Sequence, residues 1–111
     1  MATKANLIID QGATFSTSIN LTDSEDNPVD LTNYTGAAQI RKHYTSSTYT
    51  PFVVTLGGNT GTVLLSLSAT ATGNLAAGRY VYDCEVTANT GVISRVVEGI
   101  ITVNPQVTRW A

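Results

Sequence analysis

The chain has 111 residues, which is the size of one domain, and a formal net charge of −2. Only 13% of its residues are charged, about half of the typical content of roughly 25%. This composition excludes a basic nucleic-acid-binding surface, because the densest basic cluster is the three residues 41–43. No apolar run approaches the roughly 20 residues of a membrane span, and the first residues lack the apolar core of a secretory signal.

Alternation of apolar and polar residues predicts short strands along the whole chain, since side chains on a strand point alternately to its two faces. The polar turn at 23–28 precedes a connection, 29–34, in which Leu31 and Tyr34 are expected to point inward. The glycine-rich segment 57–61 is typical of a hairpin turn, and Ser68 is expected to cap one helical turn within 68–75. The predicted strands are 6–10, 14–21, 36–44, 52–56, 62–67, 78–86, 92–97 and 100–103.

The strand 78–86 has the clearest pair of faces. Tyr80, Tyr82 and Cys84 share one face and are expected to point into a core, as a free cysteine usually does when no electropositive site activates it. The opposite, outward face carries charges on this strand and the next, and we expect these charges to fix the register of the strand pair. Those charged residues are Asp83, Glu85, Arg95 and Glu98.

Gly99 interrupts the last predicted strand, and glycine inside a strand often marks a β-bulge. The sequence therefore predicts a bulge at Gly99 that bends the strand around the edge of the core. With turns about every ten residues, seven or eight short strands indicate an all-β antiparallel sandwich or small barrel. We assign residues 1–104 to this domain and residues 105–111, after Asn104-Pro105, to a C-terminal tail.

The strand 78–86 resembles strand F of an immunoglobulin-type sandwich. Tyr82 lies two residues before Cys84, as in the tyrosine corner of such domains. A second cysteine in 14–21 and a tryptophan in 36–44 are missing, so the chain is not an antibody-type domain. The resemblance therefore implies an immunoglobulin-like β-sandwich without its disulfide.

A second resemblance covers nearly the whole chain. Its order of short motifs is similar to that of the immunoglobulin-like N-terminal domain of phage baseplate upper proteins, and to small stand-alone virion proteins of tailed phages. The resemblance implies a component of a phage particle, and leaves open whether it belongs to the capsid, the neck or the baseplate. The motifs that carry it are Gln11-Gly12, residues 27–34, Gln39-Ile40-Arg41-Lys42, Gly78–Asp83, Gly99–Val103 and Val107-Thr108-Arg109.

The residues that could carry chemistry favour structural roles. His43 is the single histidine, and neither a catalytic triad nor a typical zinc site has its other members nearby in the sequence. The acidic residues 23–30 have oxygen ligands at a spacing that suits Ca²⁺, but they lack a full calcium-loop signature, which leaves a solvated turn as the favoured interpretation. We therefore expect no enzyme activity and no cofactor or metal.

Interaction chemistry is expected at two places. Trp110, beside Arg109, stands in the tail, and tryptophan and arginine are favoured at the centres of interfaces. Residues 107–111 either bind a neighbouring subunit, fold onto their own domain or fray. The polar loop 45–51, with Tyr44 and Tyr49, is the other candidate contact surface.

We expect a non-enzymatic structural protein of a tailed-phage virion, made in the host cytoplasm. The favoured interpretation is a capsid decoration protein that binds the major capsid lattice, and the alternative is a neck, tail or baseplate component. The expected partners are other virion proteins and further copies of the chain in a symmetric array, with no nucleic acid and no membrane. A surface adhesion or carbohydrate-binding module is the further alternative, although it needs exposed aromatic residues and most aromatics here are expected to point inward.

Overall fold

The computed structural model describes residues 3–107, and within them it is almost entirely β-structure. The single α-helix has five residues, and in this part of the chain no helix could cross a bilayer. The elements are β1 (Thr3–Lys4), β2 (Leu7–Asp10), β3 (Phe15–Asn20), β4 (Thr35–Arg41), β5 (Thr50–Pro51), β6 (Val53–Leu56), a 3-10 turn (Gly58–Thr60), β7 (Thr62–Leu67), α1 (Ala69–Gly73), β8 (Gly78–Thr87) and β9 (Ile93–Asn104).

Two sheets form an immunoglobulin-like sandwich, which confirms the predicted fold class. The larger sheet has the order β9-β8-β4-β5, and both β1 and β2 pair with the outer side of β9. The smaller sheet has the order β3-β7-β6. Every pairing is antiparallel except that of β1 and β2, which run parallel to β9.

Residues 50–56 cross from one sheet to the other. Thr50–Pro51 pairs with β4 in the larger sheet, whereas Val53–Leu56 pairs with β7 in the smaller one. Sequence reasoning assigned residues 45–51 to a loop throughout and was wrong for the last two, because a two-residue strand is too short to show alternation. Phe52, at the crossing, is buried between Phe15 and Tyr82, with ring centroids 6.2 and 5.9 Å away.

The core lies between the sheets and follows the predicted alternation. In β7 every second side chain is buried, and in β3 the corresponding row is half-buried because β3 lies at an edge. Leu31 is buried and Tyr34 half-buried, as the sequence predicts. The buried apolar residues are Ile9, Leu21, Leu31, Ala38, Ile40, Phe52, Val63, Leu65, Leu67, Leu75, Tyr82, Cys84, Val86, Val97, Ile101 and Val103.

The predicted helical turn is present, and its cap is the predicted residue. Ser68 Oγ accepts a hydrogen bond from the N–H of Ala71 at 3.2 Å, at the start of α1. The turn between β6 and β7 contains Gly58 and Gly61 at φ of 64° and 70°. Glycine is favoured there because other L-residues are strained at positive φ.

The bulge in the last strand pair lies at Val96, and the prediction that placed it at Gly99 was wrong. Cys84 pairs with Val97, whereas Glu85, the next residue of β8, pairs with Arg95. Val96 is therefore the extra residue of β9. One extra residue in a strand shifts the side-chain alternation that follows it by one position.

Gly99 instead makes room for the N-terminal strand. The pairing with β9 is interrupted at Ala5 and Asn6, between β1 and β2, and a Cβ atom at Gly99 would overlap the carbonyl of Ala5. The Asn6 side chain takes the place of the missing backbone partner, since its Oδ1 accepts a hydrogen bond from the N–H of Ile100 at 3.1 Å. The close approach, and not a bulge, requires glycine here.

Two tyrosines of β8 bond to backbone carbonyls. The Tyr82 hydroxyl donates to the carbonyl of Ala5 at 2.5 Å, and so ties the segment between β1 and β2 to the core. The Tyr80 hydroxyl donates to the carbonyl of Ala76, four residues upstream, at 2.7 Å. The local upstream bond of a tyrosine corner is thus made by Tyr80, and its assignment to Tyr82 was wrong.

Candidate interaction surface

The outward face of the larger sheet carries a cluster of charged side chains. Asp83 and Glu85 come from β8, and Arg95 and Glu98 come from β9. Three positions separate Arg95 from Glu98, so a regular strand would place them on opposite faces. The bulge at Val96 restores them to one face, and this brings all four side chains together as predicted.

Arg95 links two carboxylates that would otherwise repel each other. Asp83 and Glu98 are direct partners across the β8–β9 pair, and like charges in that position are destabilising. Arg95 Nε lies 3.3 Å from Asp83 Oδ2, and its Nη1 lies 3.9 Å from Glu98 Oε2. The guanidinium therefore balances the pair, which supports the predicted role of these charges in setting the register.

Arg41, at the end of β4, holds the loop that follows it. Its Nη1 donates to the carbonyl of Ser46 at 2.6 Å, and its Nη2 donates to Gln39 Oε1 at 2.9 Å. The guanidinium carbon also lies 4.9 Å from the ring centroid of Tyr49, a distance at which a cation is attracted to the face of an aromatic ring. The loop is thus fixed to the sheet by one side chain.

The cluster and this loop enclose a groove of about 410 Å³ on the outward face. Tyr44 stands at its border with 84% of its surface exposed. Acidic and basic groups occur together along the groove, with an aromatic ring beside them. The lining residues are Gln39, Arg41, Tyr44, Val81, Tyr82, Asp83, Glu85, Arg95 and Glu98.

A smaller groove, of about 210 Å³, lies on the other side of the loop. Tyr49, which is 51% exposed, lines this groove together with Lys42 and Tyr80. Lys42 Nζ donates to the carbonyl of Arg79 at 2.8 Å and lies 4.8 Å from the ring centroid of Tyr80. Each groove therefore has an exposed tyrosine together with a basic side chain: Tyr44 with Arg41 in the larger one and Tyr49 with Lys42 in the smaller one.

The residues predicted to make contacts fall partly outside the described part of the chain. Tyr49 and Tyr44 are exposed on the loop, where the sequence places them. Arg109 and Trp110 lie beyond residue 107, outside the described residues. The structure therefore brings Tyr49 together with Arg41 and leaves the predicted role of the tail as a prediction.

Cys84 is a core residue, as predicted. It is fully buried, and burial, with smaller contributions from the Asp83 and Glu85 carboxylates, raises its pKa from 9.0 to about 11. A thiol held in its protonated form is a poor nucleophile. Burial, followed by the proximity of Cys84, also raises the pKa of Tyr82 to about 12.

The acidic segment after β3 uses its carboxylates within its own turns. Asp23 Oδ1 accepts hydrogen bonds from the N–H groups of Glu25 and Asn27 at 2.8 and 3.0 Å. Asp30 Oδ1 accepts one from Thr32 N–H at 3.0 Å, and hydrogen bonds from the Thr32 side chain and backbone lower the pKa of Asp30. Among residues 3–107 no three histidine, cysteine or carboxylate side chains are grouped as metal ligands.

Sequence reasoning missed the role of Arg41. It grouped 41–43 as a basic, solvated strand end, yet Arg41 is half-buried and bonded to the loop, while Lys42 and His43 are exposed. The alternation of β4 places Gln39 and Arg41 on one face, which was the available signal. The contact with Tyr49 depends on the path of the loop, which no periodic pattern indicates.

The surface can bind a partner without covalent chemistry. Its carboxylates accept hydrogen bonds, its guanidinium groups donate them, and its tyrosines supply rigid contact area at low entropic cost. Tyrosine and arginine are the residue types enriched in protein interfaces. The groove therefore offers groups that could contact polar or charged parts of a partner.

No family model matches the chain, and no curated protein matches it. Among solved structures it is similar to the SrpA adhesin of Streptococcus sanguinis, with a TM-score of 0.53 and 11% identity over 90% of this chain and 55% of that one. An internalin-like protein of Listeria monocytogenes gives a TM-score of 0.49 and 19% identity over 93% of this chain and 28% of that one. CopC from Methylosinus trichosporium gives a TM-score of 0.41 and 17% identity over 68% of this chain and 67% of that one.

These similarities concern the fold alone. The chain spans 28% of the internalin-like protein and 55% of the adhesin, so it corresponds to one part of each. The likeness to the adhesin agrees with the immunoglobulin-like sandwich described above. The class established for this chain is therefore a single immunoglobulin-like β-sandwich.

Proposed function

We propose that the chain is a protein-binding immunoglobulin-like module that serves as a structural component of a tailed-phage particle. The observation that supports it most is the groove on the outward face of the larger sheet, where Tyr44 stands exposed beside Arg41 and the Arg95 cluster. The resemblance of the sequence to phage immunoglobulin-like domains supports the proposal that the chain is part of a phage particle. Capsid decoration is the first location, and a neck, tail or baseplate position is the alternative.

The chemistry of the groove fits a protein partner better than a small reactive substrate. Arg95 is already paired with two carboxylates, and the one thiol nearby, Cys84, is buried and held protonated. The surface is exposed and built from rigid strands, with a loop pinned by Arg41. Such a surface suits repeated, non-covalent binding to one fixed neighbour.

The first experiment asks whether the chain is part of a particle. Particles purified from the source of the sequence are analysed by quantitative mass spectrometry, and the copy number is compared with that of the major capsid protein. Copies in proportion to the capsid lattice support decoration, whereas a small multiple of six or twelve supports a neck or baseplate position. Absence from particles refutes the virion role.

The second experiment asks whether the groove is the binding surface. Tyr44→Ala removes an exposed ring and should leave the thermal stability within about 0.5 kcal/mol of the original. It should weaken binding to particles that lack the protein by about tenfold or more, as expected for an interface centre. Thr55→Ala, on an exposed position of β6 in the other sheet, is the matched control and should bind normally; equal binding of both variants contradicts the assignment.

A second candidate function is a surface adhesion or carbohydrate-binding module. The exposure of Tyr44 and Tyr49 favours it, because two aromatic side chains stand at the surface where most were expected to point inward. The fold similarity to a streptococcal adhesin is compatible with this role. A glycan array separates the two functions, since saturable glycan binding lost in Tyr44→Ala would support adhesion.

A further inference from the structure

The smaller sheet has an open edge at β3. Within residues 3–107, β3 pairs only with β7, because both pieces of the N-terminal strand pair with β9 in the other sheet. This leaves a six-residue strand whose outer side has no partner strand. An unpaired strand edge presents a row of free N–H and C=O groups and is a template for pairing with another chain.

The register identifies which backbone groups are free. Leu21, just after β3, donates its N–H to the carbonyl of Gly61 at 2.8 Å, in continuation of the β3–β7 ladder. Hydrogen-bonded and non-hydrogen-bonded pairs alternate along an antiparallel ladder. Thr17 and Ile19 therefore bond to β7 in the same way, and the N–H and C=O groups of Ser16 and Ser18 point away from the sheet.

The edges of the larger sheet carry features that disfavour pairing, and β3 does not. The pairing of the N-terminal strand is interrupted at Ala5 and Asn6 and the strand has a charge at Lys4, and β5 contains Pro51, which lacks a donor. The other edge strand of the smaller sheet, β6, also lacks such features, but it has four residues where β3 has six. It begins directly at the crossing from the larger sheet, with Val54 against Gly36 of β4. Charged residues, proline and bends are the usual protection of an edge, and Phe15–Asn20 contains none of them.

The geometry points to a second copy of this chain as the occupant: the β3 strands of two copies pair antiparallel about a two-fold axis at Thr17. Core-facing side chains must lie opposite core-facing ones, which excludes every register that pairs residues from opposite faces. Of the registers that remain, the one with its axis at Thr17 pairs Phe15 with Ile19 and keeps both inside the paired strands. Thr17 then lies opposite Thr17 of the second copy, Phe15 opposite Ile19, and Ser16 opposite Ser18. The two small sheets become one continuous six-stranded sheet.

This register is complementary at each position. It joins an aromatic side chain to a β-branched one and threonine to threonine, both of which are favourable cross-strand pairs. The free backbone groups of Ser16 and Ser18 bond to each other across the axis, and no charges meet. Phe15 and Ile19, half-buried in one copy, gain a neighbour, whereas Val63 and Leu65 of β7 are already fully covered.

Disulfide trapping tests the register directly. Thr17 forms a non-hydrogen-bonded pair with its own copy, which places the two Cα atoms about 4.5 Å apart, within the roughly 4.4–6.8 Å that a disulfide requires. Thr17→Cys should give a covalent dimer of the full chain under mild oxidation. Val53→Cys, on β6 and 62% exposed, is the control and should remain monomeric, as Cys84 is buried.

Two further variants report the pairing of neighbours. Ser16→Cys alone should cross-link poorly, because its partner in the second copy is residue 18. An equal mixture of Ser16→Cys and Ser18→Cys should give the mixed dimer. If Thr17→Cys cross-links no faster than Val53→Cys, or if the mixture gives no mixed dimer, the register is refuted.

Sedimentation equilibrium tests the dimer without cross-links. The unmodified chain should show a concentration-dependent dimer, and the double variant Ser16→Lys/Ser18→Lys should raise its Kd by at least about tenfold, since lysines would meet across the axis. Both side chains point to solvent, so an unchanged melting temperature verifies the fold. A chain that stays monomeric at all concentrations, or a double variant that dimerises equally well, overturns the proposal. The outward groove is on the other sheet, so either result is independent of the partner-binding role.

Discussion

Replacement of Tyr82 by phenylalanine isolates the hydrogen bond that holds the segment between β1 and β2. Tyr82 is 4% exposed, and its hydroxyl is bonded to the carbonyl of Ala5. Phenylalanine keeps the ring in place against Phe52, whose centroid is 5.9 Å away. The variant therefore removes one donor and leaves the packing of the core unchanged.

The expected cost follows from the burial of this bond. The bond is part-buried, so the loss of its donor should cost about 1–2 kcal/mol, which lowers the melting temperature of a domain of this size by roughly 4–8 °C. Tyr80→Phe is the matched control. Its hydroxyl bonds to the carbonyl of Ala76 at the surface, where water can replace the lost donor, so the cost should be about 1 kcal/mol or less.

Thermal unfolding and amide hydrogen exchange measure the two variants. Tyr82→Phe should show the larger loss of stability and faster exchange in β1 and β2, whereas Tyr80→Phe should leave the exchange of these strands unchanged. An equal or smaller loss in Tyr82→Phe than in Tyr80→Phe refutes the reasoning. It would mean that the pairing of β1 and β2 with β9 holds this segment without help from the Tyr82 hydroxyl.

Three further changes have defined outcomes. Gly99→Ala should lower the free energy of unfolding by about 1–3 kcal/mol, since the added methyl group overlaps the Ala5 carbonyl. The control Gly73→Ala meets only an ordinary contact at 3.9 Å, so it should change the free energy of unfolding little or raise it. Denaturant titration compares the two variants. Because the folded state keeps the Cys84 thiol protonated, the free energy of unfolding should fall as the pH rises from 9.0 towards about 11. In thermal melts across that pH range, Cys84→Ala should lose less stability with rising pH than the original chain does. Arg95→Gln should cost at most about 1 kcal/mol, because the pair is half-exposed, and high salt should shrink the difference; a salt-independent loss would contradict an electrostatic role.

The strands that follow a strict alternation could be predicted from the sequence, and β7 was predicted to the residue. Ser68 marked its helix correctly because capping depends on local groups alone. The bulge at Val96 left only an indirect signal: Arg95 and Glu98 are both charged, and a regular strand cannot expose both. Gly99 was the more conspicuous feature of this strand. The reason that glycine is needed there is the close approach of Ala5, which lies 94 positions away in the chain, as Asn6 does from Ile100.

The candidate surface was predicted in its parts and not as a whole. The outward charges and the exposed tyrosines follow from strand faces and loop polarity. Their common groove depends on Arg41 contacting Tyr49, and on the register that brings β4 and β9 to the two sides of β8. Such long-range pairings have no short sequence signature.

The parallel pairing of β2 with β9 has a mechanical consequence. The two strands at opposite ends of the domain run in the same direction, with Leu7–Asp10 beside Ile101–Asn104. A force that pulls the start of β2 away from the end of β9 therefore acts along both strands. It slides the strands past each other and loads their hydrogen bonds together, instead of breaking these bonds one at a time. In this geometry the sandwich resists tension most strongly along the line between its first and last strands.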